Sequence, residues 1–345
     1  MSWRAAFAAQ ARACAGLGSP FTARLLQGFA DHGLPEGAVA QRIGSWPGDI
    51  SGSGASVPLR LAGALHGLVL EGRDAALAAV YPPTEADELA LRRAASAAIL
   101  AQEEWVLRRL DTAPQTNEVA RSAALIVAAR WLSGQTGLPT VLSELGASAG
   151  LNLIFDRYAL QTPDGRLGPA DARVLLAPDW RGAPATGAEP RIAARAGVDL
   201  APRDPAADRL RLLSYVWPDQ PERLARIAAA LDEAAALRPE LAQGDAVDWL
   251  QQRLAQPRPG YLHLVFHTVA WQYFPKGLQA RGEALLAEAG TRATPDAPLA
   301  RFGMEADGAR PGAALTLTLW PGGTAQPVGR FDFHGRWIDW RPPGP

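Results

Sequence analysis

From residue 139 to the C-terminus, short apolar runs alternate with amphipathic segments, and this alternation limits the fold more than any other feature of the chain. Strand-like runs fall at 139–145, 191–200, 240–245, 261–268, 298–304, 314–319 and 330–340. Helical patterns lie between them, near 206–216, 220–236, 246–254 and 276–290. Strand, helix, strand, helix predicts an α/β fold whose parallel sheet is covered on both faces. The last two runs are joined by Trp320-Pro-Gly-Gly, which reads as a turn with no helix between them. A seven-stranded, mostly parallel sheet ending in an antiparallel hairpin is the expectation.

The first 112 residues have a different texture. Apolar residues recur at helical spacing over 3–14, 21–32, 59–70, 75–80 and about 85–110. Ser19-Pro20, a Gly/Ser/Pro-rich stretch at 43–58 and Pro82-Pro83 interrupt the pattern. The chain is therefore divided into a helical N-terminal domain, 1–112, expected to cap the rest, and an α/β domain, 113–345. A Gly/Pro-rich insertion is expected in the latter at about 160–190. At 345 residues there is room for both.

Charge and cysteine content exclude several classes of function. There are 35 acidic and 34 basic residues, for a formal charge of −1. That balance gives no general electrostatic attraction to nucleic acid or to an anionic membrane. Cys14 is the single cysteine, so an internal disulfide and a Cys-based zinc site are excluded, and a reducing cytoplasm is the expected location. The charge-free stretch 259–275 contains two histidines and falls short of the roughly 20 apolar residues a bilayer requires. Arg4 and Arg12 lie in an alanine-rich amphipathic pattern, unlike a signal peptide.

The sharpest motif is Val-Leu-Ser-Glu144-Leu-Gly146-Ala147-Ser148-Ala-Gly150-Leu-Asn152. An apolar strand ends in a carboxylate, and a turn of small residues is expected to feed straight into a helix. Exposed N–H groups and the positive end of that helix could then hold an anionic group. The dinucleotide pattern G-x-G-x-x-G fails, because its later glycines would fall on Ser148 and Leu151, and no Gly-Lys-Ser/Thr loop is present. Glu-x-Gly-x-x-x-Gly instead resembles the first motif of class I S-adenosylmethionine-dependent methyltransferases.

That resemblance implies further roles. Asp199 matches the acidic residue that ends the second strand and accepts hydrogen bonds from both ribose hydroxyls. Asp245, with Ala246, matches the third-strand end that contacts adenine, although Asp245 is equally well placed to cap the helix that follows. In His263-Leu-Val-Phe-His267-Thr268-Val-Ala-Trp-Gln-Tyr273, His267 and Thr268 end the fourth strand, where parallel sheets bind ligands. His267 and Tyr273 are the candidate catalytic residues, His267 as a base toward a hydroxyl or amine. His263 and His267 on one strand are about 13 Å apart, too far to share an ion, and no metal is expected. His334, beside Trp337 and Trp340, is read as packing.

Gln115-Thr-Asn117-Glu118-Val-Ala-Arg121-Ser forms a second polar cluster. Thr116 or Asn117 suits a helix cap, and Glu118 with Arg121 an i,i+3 pair. Gln115, Asn117, Glu118 and Arg121 are also candidates to line a substrate or cofactor cleft. This cluster, the glycine turn, Val216-Trp-Pro-Asp-Gln220, the 267–273 segment and His334-Gly-x-Trp337 together resemble a bacterial family known only as a domain of unknown function. The resemblance spans nearly the whole chain and implies a Rossmann-like methyltransferase fold with a helical addition, but no activity.

The leading expectation is an S-adenosylmethionine-dependent methyltransferase acting on a small molecule. The Asn/Asp-Pro-Pro-Tyr signature of enzymes that methylate nucleic-acid amino groups is missing, and no cysteine lies in the sheet domain. Ser148, at a position where glycine is common, keeps open a non-catalytic nucleoside-binding or interaction protein. An NAD-dependent oxidoreductase is a weaker alternative, given the failed fingerprint.

Overall fold

The computed structural model describes residues 2–115 and 117–343; Thr116, a candidate cap, lies outside them. The chain forms two compact units, one of Met1–Thr116 with Ala207–Ala228, the other of Asn117–Ala206 with Ala229–Pro345. Its helices are α1 (Trp3–Gly16), α2 (Pro20–His32), α3 (Ala38–Gly44), α4 (Val57–Leu70), α5 (Ala75–Ala78), α6 (Glu88–Ala101), α7 (Glu103–Leu110), α8 (Ser122–Thr136), α9 (Arg209–Ser214), α10 (Pro221–Leu237), α11 (Ala246–Arg253) and α12 (Lys276–Thr291). Its strands are β1 (Thr140–Leu145), β2 (Ala159–Thr162), β3 (Gly165–Leu167), β4 (Leu175–Leu176), β5 (Asp179–Gly182), β6 (Ile192–Asp199), β7 (Glu240–Gln243), β8 (Leu262–Thr268), β9 (Leu299–Glu305), β10 (Ala313–Trp320), β11 (Gln326–Phe331) and β12 (Trp337–Trp340).

The first unit is helical. Ser2, Ser19 and Asp87 cap α1, α2 and α6 through their side-chain oxygens, and Pro20 opens α2 where its missing N–H is no loss. Phe7 of α1, Leu26 and Phe29 of α2, Leu91 of α6, Leu61 of α4 and Tyr81 after α5 share one core. The helix expected over 85–110 is two helices, broken at Gln102. Local charge explains the restart: Glu103 and Glu104 occupy the first turn of α7 and Arg108 and Arg109 its last. The sequence reading assigned 207–228 to the sheet domain, but this segment belongs to the helical unit. Asp219 accepts hydrogen bonds from Ser19 Oγ at 2.6 Å and Phe21 N at 2.8 Å, and Tyr215 Oη donates to the Thr112 carbonyl. The Val216–Gln220 motif thus anchors the start of α2.

The second unit is built on a nine-stranded sheet in the order β5-β12-β11-β10-β9-β8-β1-β6-β7. Strands β7, β6, β1, β8 and β9 run parallel, and β10, β11 and β12 follow by antiparallel pairing. Every residue of β1 and β8 is buried, as interior parallel strands require, while β7 at the edge is half open. One face packs Leu145, Val198, Val265 and Leu299 against Leu250 of α11 and Leu286 of α12.

Nine strands replace the expected seven for two reasons. The run expected over 330–340 is two strands, β11 and β12, separated by a turn in which Asp332 accepts from the N–H groups of His334 and Arg336. The insertion also supplies strands of its own: β3, β2 and β4 form a small separate sheet, and β5 pairs in parallel with β12 at the far edge. The hairpin β10–β11 pairs as expected, Leu315 opposite Gly329.

Candidate functional site

Strand β1 lies between β6 and β8 and pairs in parallel with both. The chain leaves β1 toward β6 and β7, then returns across it to β8 and β9. That reversal makes a switch point, where parallel sheets leave a crevice beyond their carboxyl ends. Asp199, Thr268 and Glu305 end β6, β8 and β9 there, and Glu144 stands one residue before the end of β1.

Glu144 is buried, and its Oε2 has no hydrogen-bond partner among the described residues. Burial, and then the negative charge of Asp199, push its carboxyl well above the usual range; Arg121 pulls the other way without reversing this. The turn after it is held from several sides. Gly146 N and Ala147 N both donate to the Val198 carbonyl, at 2.9 and 3.0 Å. Gly146 has φ +76°, and a Cβ there would lie 2.5 Å from the Cβ of Ala270, so glycine is required twice over. Ser148 also takes a left-handed backbone, φ +53°, and its buried Oγ has no partner among the described residues. Asn152 accepts from Ser122 Oγ at 2.8 Å through Oδ1, while its Nδ2 is buried and unpartnered among the described residues.

No helix follows this turn, contrary to the sequence reading. Ser148 and Gly150, both left-handed, break the backbone, residues 151–154 form turns, and only a 3-10 turn at Phe155–Arg157 precedes β2. A helix dipole therefore supplies nothing here. Instead Asn117 Oδ1 accepts from Leu151 N at 2.9 Å, and Tyr158 Oη donates to the Leu151 carbonyl. The Asn117–Ser122 stretch is a strap across the edge. Arg121 Nη1 donates to the Thr268 carbonyl at 3.0 Å and its Nε to the Phe333 carbonyl at 3.3 Å. Glu118, almost wholly buried, accepts from Ala120 N and lies 3.8 Å from His334 Nδ1. This segment begins with a 3-10 turn, Val119–Arg121, and the α-helix starts only at Ser122. Gln115 lies in the helical unit, in the loop after α7.

Asp199 is committed to the turn: Oδ2 accepts from Ser148 N at 2.8 Å and Oδ1 from Ala201 N at 2.9 Å. Each oxygen retains a further lone pair for a ligand. Asp245 caps α11, its Oδ1 accepting from Val247 N and Asp248 N, and Gly244 N donates to the Asp199 carbonyl. Leu200, next to Asp199, is 75% exposed.

His267 departs from its expected role. Alternation along β8 puts it with Val265 on the α12 face, opposite to Phe266, the partner of Glu144. There it stacks on Trp271, with Nδ1–H donating to Glu305 Oε1 at 2.7 Å and Nε2 accepting from Arg301 Nε at 3.2 Å. Burial pushes its pKa down against the pull of Glu305, so the ring is neutral and both nitrogens are engaged. No nitrogen remains to take a substrate proton. Tyr273 is 74% exposed at the end of the turn that begins at Trp271.

A model of the family described as "Uncharacterized protein conserved in bacteria (DUF2332)" matches residues 4–340. The chain belongs to this family. No curated protein and no solved structure matches it. In this DUF2332 chain three of the motifs met separately along the sequence, the strap, the glycine turn and the 267–273 segment, converge at one sheet edge, and the strap reaches the His334 turn as well.

Two contributors escaped the sequence reading. Glu305 accepts from Ala270 N, Trp271 N and Gln272 N as well as from His267, and so fixes the wall after β8. Burial pushes its carboxyl up, but these hydrogen bonds outweigh it and hold the group below the usual range. Its signal was available: like Glu144 and Asp199, it is an acid at or next to the end of an apolar strand. Val269, with φ +54°, had none; a β-branched residue in that region is strained and marks a site held by its surroundings. No helix is long and apolar enough to cross a membrane among the described residues.

Proposed function

We propose that this chain is an S-adenosylmethionine-dependent methyltransferase acting on a small-molecule acceptor in the cytoplasm. The observation that carries the reading is Glu144: a buried carboxyl at the switch point of five parallel strands, one oxygen of which, like Ser148 Oγ and Asn152 Nδ2 of the adjoining turn, has no hydrogen-bond partner among the described residues. Buried polar groups are satisfied almost everywhere in proteins, so one orphan on β1 and two in the turn after it fit a ligand with a cationic end and hydrogen-bonding groups. The parallel order β7-β6-β1-β8-β9 supports a Rossmann-like core of methyltransferase type.

In this reading Glu144 faces the ammonium end of the methionyl group, Asp199 the ribose hydroxyls and Asp245 Oδ2 the adenine. S-Adenosylmethionine supplies an electrophilic methyl group, and its transfer is an in-line displacement. The chain contributes position and exclusion of water. The hydrogen-bonded Asn117–Arg121 strap and the wall that Glu305 fixes at Ala270–Gln272 would serve both. Exposed Leu200 offers an apolar surface to a ring. The engaged nitrogens of His267 favour a second reading, a nucleoside-binding protein without turnover.

Calorimetry with S-adenosylhomocysteine tests the first step. Wild-type protein is expected to bind, and Asp199→Ala to bind at least 10-fold more weakly, since charge-assisted hydrogen bonds are worth about 1.5–3 kcal/mol. Absence of heat at millimolar ligand, with no rise in melting temperature, would remove the methyltransferase reading. Binding without methyl transfer would select the second.

A further inference from the structure

Arg238 occupies a position that suits glycine. It follows α10 directly with φ +50°, its N–H donates to the Ala234 carbonyl at 2.8 Å, and Pro239 comes next. That is the left-handed helix ending in which a side chain adds strain and glycine adds none. Arg238 is exposed and makes no hydrogen bond or ion pair among the described residues, so no polar contact among them compensates the strain.

Beside it lies a cavity of about 480 Å³, lined by Arg238, Arg203, Pro202, Pro205, Pro239 and Leu241. Its volume lies within the range of small-molecule sites, and three prolines make its walls stiff before any ligand arrives. Asp204, the acid in the lining, spends Oδ1 on the N–H of Ala206. The cavity backs onto the glycine turn. Arg203 N donates to the Ser148 carbonyl at 3.0 Å, and Pro239 Cγ and Leu241 Cδ2 lie 3.1 and 3.3 Å from where a Cβ of Gly150 would stand.

We propose that this cavity binds a small organic molecule through an oxyanion, phosphate or carboxylate, held by the Arg238 guanidinium with Arg203 beside it. The apolar body of the molecule rests on the proline and leucine walls. A guanidinium matches either oxyanion with two parallel hydrogen bonds, which explains an arginine kept where glycine is relaxed. The site is distinct from the crevice at Glu144 and does not depend on the methyltransferase reading.

Thermal melting of the full chain in sodium phosphate, sodium citrate and sodium chloride at matched ionic strength tests the proposal. Wild-type protein is expected to gain on the order of 3–5 °C over chloride at about 100 times the dissociation constant. Arg238→Gly should melt in chloride at the wild-type temperature or above, because strain is relieved, and should lose that gain. Arg238→Lys keeps the strain and the charge but not the fork, and should keep part of it. General salting effects cancel between variants. A gain in phosphate alone assigns a phosphoryl group; a gain in both anions admits carboxylates. The proposal is overturned if wild-type gains nothing in either anion, if Arg238→Gly keeps the gain, or if Arg238→Gly melts lower in chloride, which would give the side chain a packing role.

Discussion

Ser143 and Glu144 are neighbours on β1, both buried, and they point to opposite faces of the same sheet. On the first face the chain completes its own polar network. Ser143 Oγ meets His263 Nε2 at 2.8 Å and accepts from Arg253 Nε at 3.1 Å. On the second, Glu144 Oε2 meets nothing among the described residues, and Ser148 Oγ and Asn152 Nδ2 repeat the pattern. Both faces bury polar atoms at similar depth, so burial does not distinguish them; satisfaction does. The first network behaves as structure. The second is where the proposed ligand would supply the missing partners.

The two faces should lean in opposite directions on the pH axis, and the larger effect belongs to the completed one. Burial, with the Arg258 and Arg253 cations, holds His263 down at about 3. An unfolded histidine titrates near 6.5, so between these values the unfolded chain binds the extra proton and stability falls as pH falls. At about 1.4 kcal/mol per pH unit the full loss is on the order of 4–5 kcal/mol. His66, held at about 4 chiefly by burial in the helical unit, adds to the same acid limb. The comparison is therefore between wild type and His263→Gln, which can still accept from Ser143. Denaturant unfolding from pH 7 to pH 4 should show the variant losing clearly less stability. Parallel curves would mean that His263 titrates normally and that this face is wetter than described.

Glu144→Gln should act with the opposite sign. Because burial and Asp199 raise the folded carboxyl's pKa, its contribution is fully present below about 4.5 and is lost as pH rises through the folded value. At pH 8 the glutamine variant should be more stable than wild type, because it carries no carboxyl that burial and Asp199 keep from ionising. The gap should close toward pH 4.5. The same change should weaken S-adenosylhomocysteine binding if Glu144 meets the ligand's ammonium. A variant no more stable at pH 8 would show that the carboxyl has a partner in the folded chain, and the contrast with Ser143 would collapse.

Much of this arrangement was legible beforehand, and what was not has identifiable causes. Buried strands β1 and β8 announce themselves as short, largely apolar runs, Ser19-Pro20 as a break between helices and Asp245 as a cap, because these signals depend on a few adjacent residues. The acids at strand ends were visible for Glu144 and Asp199, whereas Glu305 was passed over since its hydrogen-bonding partners lie more than 30 residues away. The expected helix after Gly146 failed for a backbone reason: nothing in Ala-Ser-Ala-Gly-Leu-Asn shows that Ser148 will take a left-handed conformation. The extra strands β5 and β12 are four residues each, below the length at which alternation can be read. His267 shows the limit most sharply. Its place at the end of β8 was correct, but pairing with Glu305 and Arg301 is a tertiary fact that reverses the role its position suggests.

The smallest effect discriminates best. Ser148 is left-handed at φ +53° between two left-handed glycines, Gly146 and Gly150, and its hydroxyl is buried without a partner among the described residues. Replacing it with glycine relieves backbone strain of about 1 kcal/mol. It also loosens the unfolded chain by a similar amount, so the net change in stability should lie within about 0.5 kcal/mol of zero. A serine kept only for packing or turn geometry would therefore be silent in every assay, because its N–H still reaches Asp199 and its carbonyl still accepts from Arg203. A serine kept for a ligand would not be silent. Loss of one neutral hydrogen bond, about 0.5–1.5 kcal/mol, should weaken S-adenosylhomocysteine binding by roughly 2- to 10-fold while the melting temperature holds. Equal affinity in the two proteins would remove Ser148 from the site and leave Glu144 as the orphan on which the contrast between the two faces rests.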